Sequence, residues 1–264
     1  MRALLLLVAT FVAACQDSRP EPQSGPPDPG GGPTLRVMTY NVNYGIPGDP
    51  ATVEAIVDEG ADVVFLQETT AAWEVALNES LGAAYPHRVF RHCCGAGGLG
   101  VLSKLALDAR EYLSPPEGGW FPAWRGIVHH ESGDLQGRVV HLRPQLSETG
   151  SFLGGVFTTP PIRRAEIETY FPALDPSLPT VIVGDFNENQ RGRAIRFLED
   201  KGMQSAVPSS SGATPTWRWQ TSIGTIREQL DHVVVDGRVE VVDVRVLERG
   251  SSDHLPVVAT IRLR

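Results

Sequence analysis

Positive charge and cysteine are both scarce in this sequence. Lysine and arginine number 23 against 31 aspartates and glutamates, a formal charge of −8 with a pI near 5.4. Such a chain lacks the basic surface on which sequence-independent coating of nucleic acid depends. A nuclease is not excluded, because bound cations neutralise an acidic cleft locally. Of the three cysteines, Cys93 and Cys94 are neighbours, so they either close a vicinal disulfide or remain thiols. With His92 they make three consecutive ligand-type residues, a spacing that rarely surrounds a tetrahedral ion and argues against structural zinc. No apolar run is long enough to span a bilayer. No internal repeat, heptad pattern or second low-complexity linker divides the chain. What is present is an ordinary globular balance, 41% hydrophobic and 20% charged, enough for a substantial core.

The start, MRALLLLVATFVAAC, combines Arg2, a short apolar run and small residues before Cys15, which is secretory signal geometry and not a transmembrane helix. Its end, VAAC, resembles the lipobox of bacterial lipoproteins. That implies a signal peptide over 1–14 and lipidation of Cys15, with an ordinary cleaved signal as the alternative. Proline, glycine and polar residues then dominate up to residue 33, and a stretch without large apolar side chains cannot offset its ordering entropy. Residues 15–33 are therefore expected to be a disordered tether, and 34–264 a single folded domain. This places the protein outside the cytoplasm as a monomer, anchored to a bacterial membrane through acyl chains, or secreted if the lipobox is not used.

TLRVMTYNV and ADVVFLQET are strand-length apolar runs separated by DPATVEAIVDEG, which opens on a capping acid and a proline and closes on a glycine; strand, helix, strand is the reading. AAWEVALNESLG is a second helix. HRVFRH, GLGVLSKL, LDAREYL, FPAWRGIVHHE and LQGRVVHLR follow as strands. A helix over Pro161–Leu174, a buried strand PTVIVGDF, a helix RGRAIRFLEDKG and three strand-like runs, EQLDHVVVDG, VEVVDVRVLE and LPVVATIRLR, complete the chain. The fold class expected is α/β (α+β): a four-layered sandwich of two mostly antiparallel, packed sheets with helices on the outer faces.

Polar residues collect at strand ends. In VIVGDFNENQ, Asp185 and Asn187 are two apart and share a face while Phe186 points into packing, although a strand turning into a loop uses the same residue types. Asn41 ends the first strand, Glu68 follows the second, Asp231 begins a late strand, and Asp253 with His254 begins the last. If these ends share one rim, their side chains converge on an acidic cleft. Crowded carboxylates repel, and a divalent cation resolves the conflict. Oxygen donors such as Glu68 and the Asn41 carbonyl suit Mg²⁺, Mn²⁺ or Ca²⁺ better than zinc. A cation, a group that orients water, and donors for developing charge are the parts of phosphoester cleavage.

TYNV, FLQE, GVLSK, VVHL, VGDFN, LDHVVV and SDHLPV stand in the order and approximate spacing of the endonuclease/exonuclease/phosphatase superfamily. The chain resembles these DNase I-like, metal-dependent phosphoesterases from Leu35 to Leu263. The resemblance implies that Asn41 and Glu68, with Asp253, hold a divalent ion, Mg²⁺ first. It also implies that Asp185 orients or deprotonates the attacking water and that Asn187 donates to phosphoryl oxygens. His254 would contact the scissile phosphate, supported by Asp253 or Asp231, and His141 would match the other family histidine. Arg125 in AWRGIV matches a phosphate contact only loosely. Plainer roles stand beside these: Asn41 as a strand end, Glu68 as a helix-starting acid, His141 as a satisfied core histidine. His129 and His130 read as strand surface. Trp217 and Trp219 share a face and read as core, with a stacking platform as the alternative.

Three features depart from the pattern: His232 within LDHVVV, the short Asn43–Pro50 segment, and HCCGAGG, whose loop would shape access to the cleft. The implied function is extracytoplasmic, metal-dependent phosphodiester hydrolysis, nuclease-like first. Phospholipid, sphingomyelin, inositol-phosphate or nucleotide hydrolysis on the same fold is the alternative. A catalytically silent surface-binding lipoprotein is a reading of another class, and the intact set of mutually repelling acids speaks against it.

Overall fold

The computed structural model describes residues 31–207, 214–222 and 224–264; the signal segment, Cys15 and most of the tether lie outside them. In chain order the elements are β1 (Leu35–Asn41), α1 (Pro50–Glu59), β2 (Val63–Gln67), α2 (Ala71–Leu81), β3 (His87–Arg91) and β4 (Leu99–Ser103). They continue with β5 (Leu107–Leu113), β6 (Ala123–His130), β7 (Gly133–His141), α3 (Phe152–Thr158), α4 (Pro160–Tyr170) and β8 (Thr180–Asp185). The last are α5 (Arg193–Asp200), β9 (Gln204–Ser205), β10 (Trp217–Thr221), β11 (Gly224–Glu228), β12 (Asp231–Val235), β13 (Val239–Val246) and β14 (Val257–Leu263).

Local chemistry sets the helix ends. Asp49 caps α1 by accepting from the Thr52 amide and hydroxyl at 2.8 Å each, Pro50 fits the first turn, and Gly60 closes the helix in the left-handed region at φ 56°. Thr70 caps α2 by accepting from the Trp73 amide at 3.2 Å. Two six-stranded sheets result, ordered β13-β14-β1-β2-β4-β3 and β5-β6-β7-β8-β12-β9. Only β1/β2 and β7/β8 run parallel among these pairs, and each needs a crossover, which α1 supplies in one case and α3 with α4 in the other.

Three apolar layers hold the sandwich. Val37, Phe65, Val101, Val139, Val183 and Val233 pack between the sheets. Ile56, Trp73 and Leu77 cover the outer face of the first sheet against Met38 and Leu66, and Ile167, Tyr170, Ile195 and Leu198 cover that of the second against Val140 and Ile182. The four-layered sandwich is thus present, with helices outside two mostly antiparallel sheets. Among the described residues, no helix is long and apolar enough to cross a membrane.

Three local differences from the sequence reading have physical causes. The short helix α3 has no inward apolar stripe to reveal it: Leu153 and Phe157 are 75% and 81% exposed. The run EQLDHVVVDG divides, because Glu228 ends β11 while β12 starts at Asp231, and β10 with β11 forms a separate two-stranded sheet. The helix expected from Pro161 starts one residue earlier and gives way to a 3₁₀ turn at Phe171–Ala173. The glycine of VIVGDFN has a clear reason: Gly184 lies at φ 138° with a Cβ position that would fall inside the Val140 carbonyl.

His232, unaccounted for in the sequence, is fully buried. Its Nε2 donates to the Glu188 carbonyl at 2.9 Å, leaving Nδ1 to accept from the Ser205 hydroxyl at 3.1 Å, and its ring meets the edge of Phe186 at 5.3 Å. Burial drives its pKa from 6.5 down to about 4. The unfolded chain therefore binds a proton that the folded chain refuses between those values. This contribution to stability is complete above pH 6.5 and is lost as pH falls towards 4, by about 3 kcal/mol. Urea unfolding of the native chain and of His232→Gln across that range tests this. The difference between the two stability curves is expected to shrink as pH falls, and parallel curves would assign the slope to other groups.

Candidate active site

The site follows from strand parity and register. Val37, Phe65, Val139 and Val183 face the seam between the sheets, so positions an even number further along face it too: Asn41, Gln67, His141 and Asp185. Asp231, two residues before seam-facing Val233, joins them on β12. Register aligns His141 with Asp185 and Asp185 with Asp231 on three adjacent strands, while Asn41 pairs with Gln67 on the opposite sheet. The apolar seam therefore ends in a polar rim without any change of strand geometry.

At its centre is the Asp185 carboxylate, buried to 1% exposure. Its Oδ2 accepts from Asn41 Nδ2 at 3.2 Å and lies 3.4 Å from His141 Nε2 and 3.5 Å from His254 Nε2. Its Oδ1 accepts from the Asn187 amide at 2.8 Å. Asn187 turns through φ 51° and donates its side-chain amide to the Leu142 carbonyl at 3.0 Å. His254 donates from Nδ1 to Asp231 Oδ2 at 2.9 Å, which leaves Nε2 for the cleft. His141 donates from Nδ1 to the Ala96 carbonyl at 3.2 Å, and its ring lies on Phe121 with centroids 4.4 Å apart.

Glu68 sits on the facing wall at φ 61°, accepting from Asn41 Nδ2 at 3.1 Å and from the Tyr44 amide at 3.0 Å. Asp253 pairs with neither histidine: it accepts from Asn43 Nδ2 at 3.1 Å and Trp217 Nε1 at 3.0 Å. Of the two acids that could support His254, the partner is thus Asp231. Among the described residues the non-glycine positions with positive φ are Asn43, Glu68, Cys94 and Asn187, all at or beside this cleft. Each costs on the order of 1–3 kcal/mol, the kind of strain that clusters at functional sites.

Electrostatics sort these groups. Burial opposes the charged form of His254, but Asp231 and Asp185 outweigh it and push the imidazole up to about 10, so it stays protonated at neutral pH. Burial pushes Asp185 up to about 6 against the pull of His254. Burial also raises Glu68, with Asp253 adding a like charge, and lowers His141 despite Asp185 beside it.

A buried acid under such repulsion is relieved by a cation, and the donors at Asn41, Glu68 and Asp253 are oxygens of the type that Mg²⁺ takes. Asp185, Asp231 and His254 also offer ligand atoms within 4.8 Å of one another; the Asp231–His254 hydrogen bond accounts for part of that proximity without an ion. The buried Asp231 Oδ1 has no hydrogen-bond partner. The residues fit a divalent ion in this cleft.

A cavity of about 560 Å³ opens here, with Glu68, His141, Asn187 and Asp253 beside Trp120, Phe121, Trp217 and Trp219. Trp217 and Trp219 are therefore cleft walls and not core. Arg125 does not reach the cleft: its guanidinium is held by Glu111 at 2.8 Å and Gln136 at 2.9 Å, which corrects its reading as a phosphate contact. Cys93 and Cys94 form a disulfide and His92 pairs with Glu74 at 2.6 Å, so the three do not form a zinc set. His129 is on the strand surface with Asp134 and Asp108. Asn43, Gln145, Trp120 and Phe121 were not singled out from the sequence; of these only Asn43, two residues after Asn41, carried a positional signal.

The sequence profile described as Endonuclease/Exonuclease/phosphatase family matches residues 38–254. No curated protein sequence matches the chain. The fold is similar to an endonuclease/exonuclease/phosphatase from Beutenbergia cavernae DSM 12333, with a TM-score of 0.67 and 22% identity over 87% of this chain and 72% of that one. It is also similar to D. rerio TDP2 in complex with a single-strand DNA product, with a TM-score of 0.66 and 14% identity over 87% and 99% of the two chains. The human Nocturnin catalytic domain with bound sulfate has a TM-score of 0.66 at 17% identity, over 88% and 94%. At these identities the likeness to solved structures is one of fold.

The His254–Asp231 bond makes a direct prediction. In Asp231→Asn the imidazole loses a carboxylate counter-charge, and its proton affinity is expected to fall at least about tenfold, ~1.4 kcal/mol. Ring ¹⁵N shifts recorded in the presence of EDTA read this, and an unchanged titration would leave Asp185 as the sole holder of the proton.

Proposed function

The chain belongs to the endonuclease/exonuclease/phosphatase family, and from that premise we propose that it hydrolyses phosphodiesters with a bound divalent ion, Mg²⁺ first, and that its substrates are nucleic acids. The observation that carries this reading is the buried Asp185 carboxylate in contact with Asn41, His141 and His254, beside an aromatic-walled cleft that His141 lines. Flat aromatic walls suit bases, which stack on rings whatever their identity.

Asn41 and Glu68, with Asp253 beside them, would hold the ion, which when bound neutralises the phosphoryl oxygens and increases the electrophilicity of phosphorus. Asp185 is ionised at neutral pH and is placed to orient the attacking water and accept its proton. His254, held charged by Asp231, presents Nε2–H to the phosphoryl group, where negative charge builds up in the transition state. Asn187 keeps one amide hydrogen beyond the one given to Leu142, enough for a phosphoryl oxygen. His141 has its tautomer set by the Ala96 carbonyl, so only Nε2 faces the reacting centre.

The sequence at the N-terminus supports an extracytoplasmic setting, with a signal over 1–14 and a lipid anchor at Cys15. Hydrolysis of phospholipid or inositol-phosphate esters is the second reading; the exposed Leu153 and Phe157 near the cleft favour it, being side chains a lipid surface would cover.

Bis(p-nitrophenyl) phosphate tests the chemistry. Release with Mg²⁺ or Mn²⁺ is expected to vanish with EDTA. Asp185→Ala and His254→Ala are each expected to lower kcat about 10²–10⁴-fold with circular dichroism unchanged. Rates near normal in either variant, or release indifferent to EDTA, would overturn the assignment of roles.

A further inference from the structure

Beside the catalytic cleft lies a second hollow of about 530 Å³, and the two share Gln145 and Phe152 as a common wall. Its floor carries Arg191, Arg193 and Arg196, from the loop after Asn187 and the exposed side of α5. These three are exposed, and no carboxylate among the described residues forms an ion pair with them. Elsewhere Arg36, Arg110, Arg164, Arg238, Arg245 and Arg249 each have an acidic partner. Three unmatched cations side by side on a chain of net charge −8 repel one another, and an anion relieves them.

Two acids also line the hollow, and Glu199 and Asp200 follow Arg196 on α5. Glu188 holds Arg163 at 3.1 Å and caps α5 by accepting from the Ala194 and Ile195 amides at 2.7 and 3.1 Å. Its carboxylate lies so close to Gly192 that any side chain there would collide with it. Glu228 accepts from Gln145 Nε2 at 3.2 Å on the cleft side of the hollow. The N-terminus of α5 is thus closed by the protein's own carboxylate, and the free positive charge belongs to the arginine side chains.

We propose that Arg191, Arg193 and Arg196 bind a second phosphate of the substrate, the diester that neighbours the scissile one along a single nucleic-acid strand. This rests on the nucleic-acid reading above. On the shared wall the Phe152 ring meets Trp219 of the catalytic cleft at 6.1 Å, and Trp219 meets Trp217 at 6.3 Å. A base stacks on that aromatic step while its flanking phosphates fall on either side, one at Asp185 and His254, the other at the arginines. Guanidinium groups grip such oxygens bidentately. Exposed positions also leave the fold little affected by their loss.

The test compares the native chain with R191Q/R193Q/R196Q, and with R196Q alone, by fluorescence anisotropy of a labelled ten-nucleotide single-stranded DNA at several salt concentrations. The triple variant is expected to bind about tenfold more weakly, with the slope of log affinity against log salt reduced by ~0.7, the share of one phosphate on a single strand. Neither a dinucleoside monophosphate, which has one phosphate, nor turnover of bis(p-nitrophenyl) phosphate is expected to change. Equal affinity and equal slope would overturn the site. So would loss of binding to phosphatidylglycerol vesicles with oligonucleotide affinity intact, which would assign the arginines to lipid headgroups. A native chain inert towards every diester would defeat the proposed hydrolysis alone, since the affinity comparison does not depend on turnover.

Discussion

The buried Asp185 carboxylate is the constraint around which the rest is arranged. An anionic oxygen at the end of an apolar seam is tolerated only if donors surround it, and here Asn41 and His254 meet at one oxygen, with the His141 ring beside it, while the Asn187 amide takes the other. Those donors come from both sheets. The sandwich must therefore close, with both parallel crossovers in place, before the charge is compensated. Folding and assembly of the reactive centre are in this sense one event, and Asp231 matters because it keeps His254 charged.

The two six-stranded sheets make this economical. Each contributes one parallel pair at its centre, and parallel strands finish at the same end, so β1, β2, β7 and β8 deliver four polar termini to one rim. Valines that build the seam and acids that close it occupy one file of alternating residues. A single-residue slip in any of these strands would exchange the reactive side chains for the ones now facing the helices.

This explains what could be read before the structure was seen. The spacing Val183-x-Asp185 and the lone polar residues Asn41, Glu68 and His141 at the ends of apolar runs are local facts of the chain, and strand geometry converts them into directions. The arrangement of Asp253 is not local. Its two oxygens are taken by Asn43 and Trp217, residues 210 and 36 positions away, and nothing near SDHLPV indicates that these, and not His254, are its partners. Arg125 fails for a related reason: its motif matched, but the side chain lies where Glu111 and Gln136 reach it first. The short helix α3 was invisible because its apolar side chains face outward and leave no inward stripe.

The backbone at Asn43, Glu68 and Asn187 turns through left-handed conformations that glycine would occupy with less strain. A programme that selected this protein for heat resistance alone would be drawn to those three places, since each relaxed residue makes the fold sturdier. It would finish with a durable, inert shell, because the tension it removed is what aims the amide and carboxylate groups into the cleft.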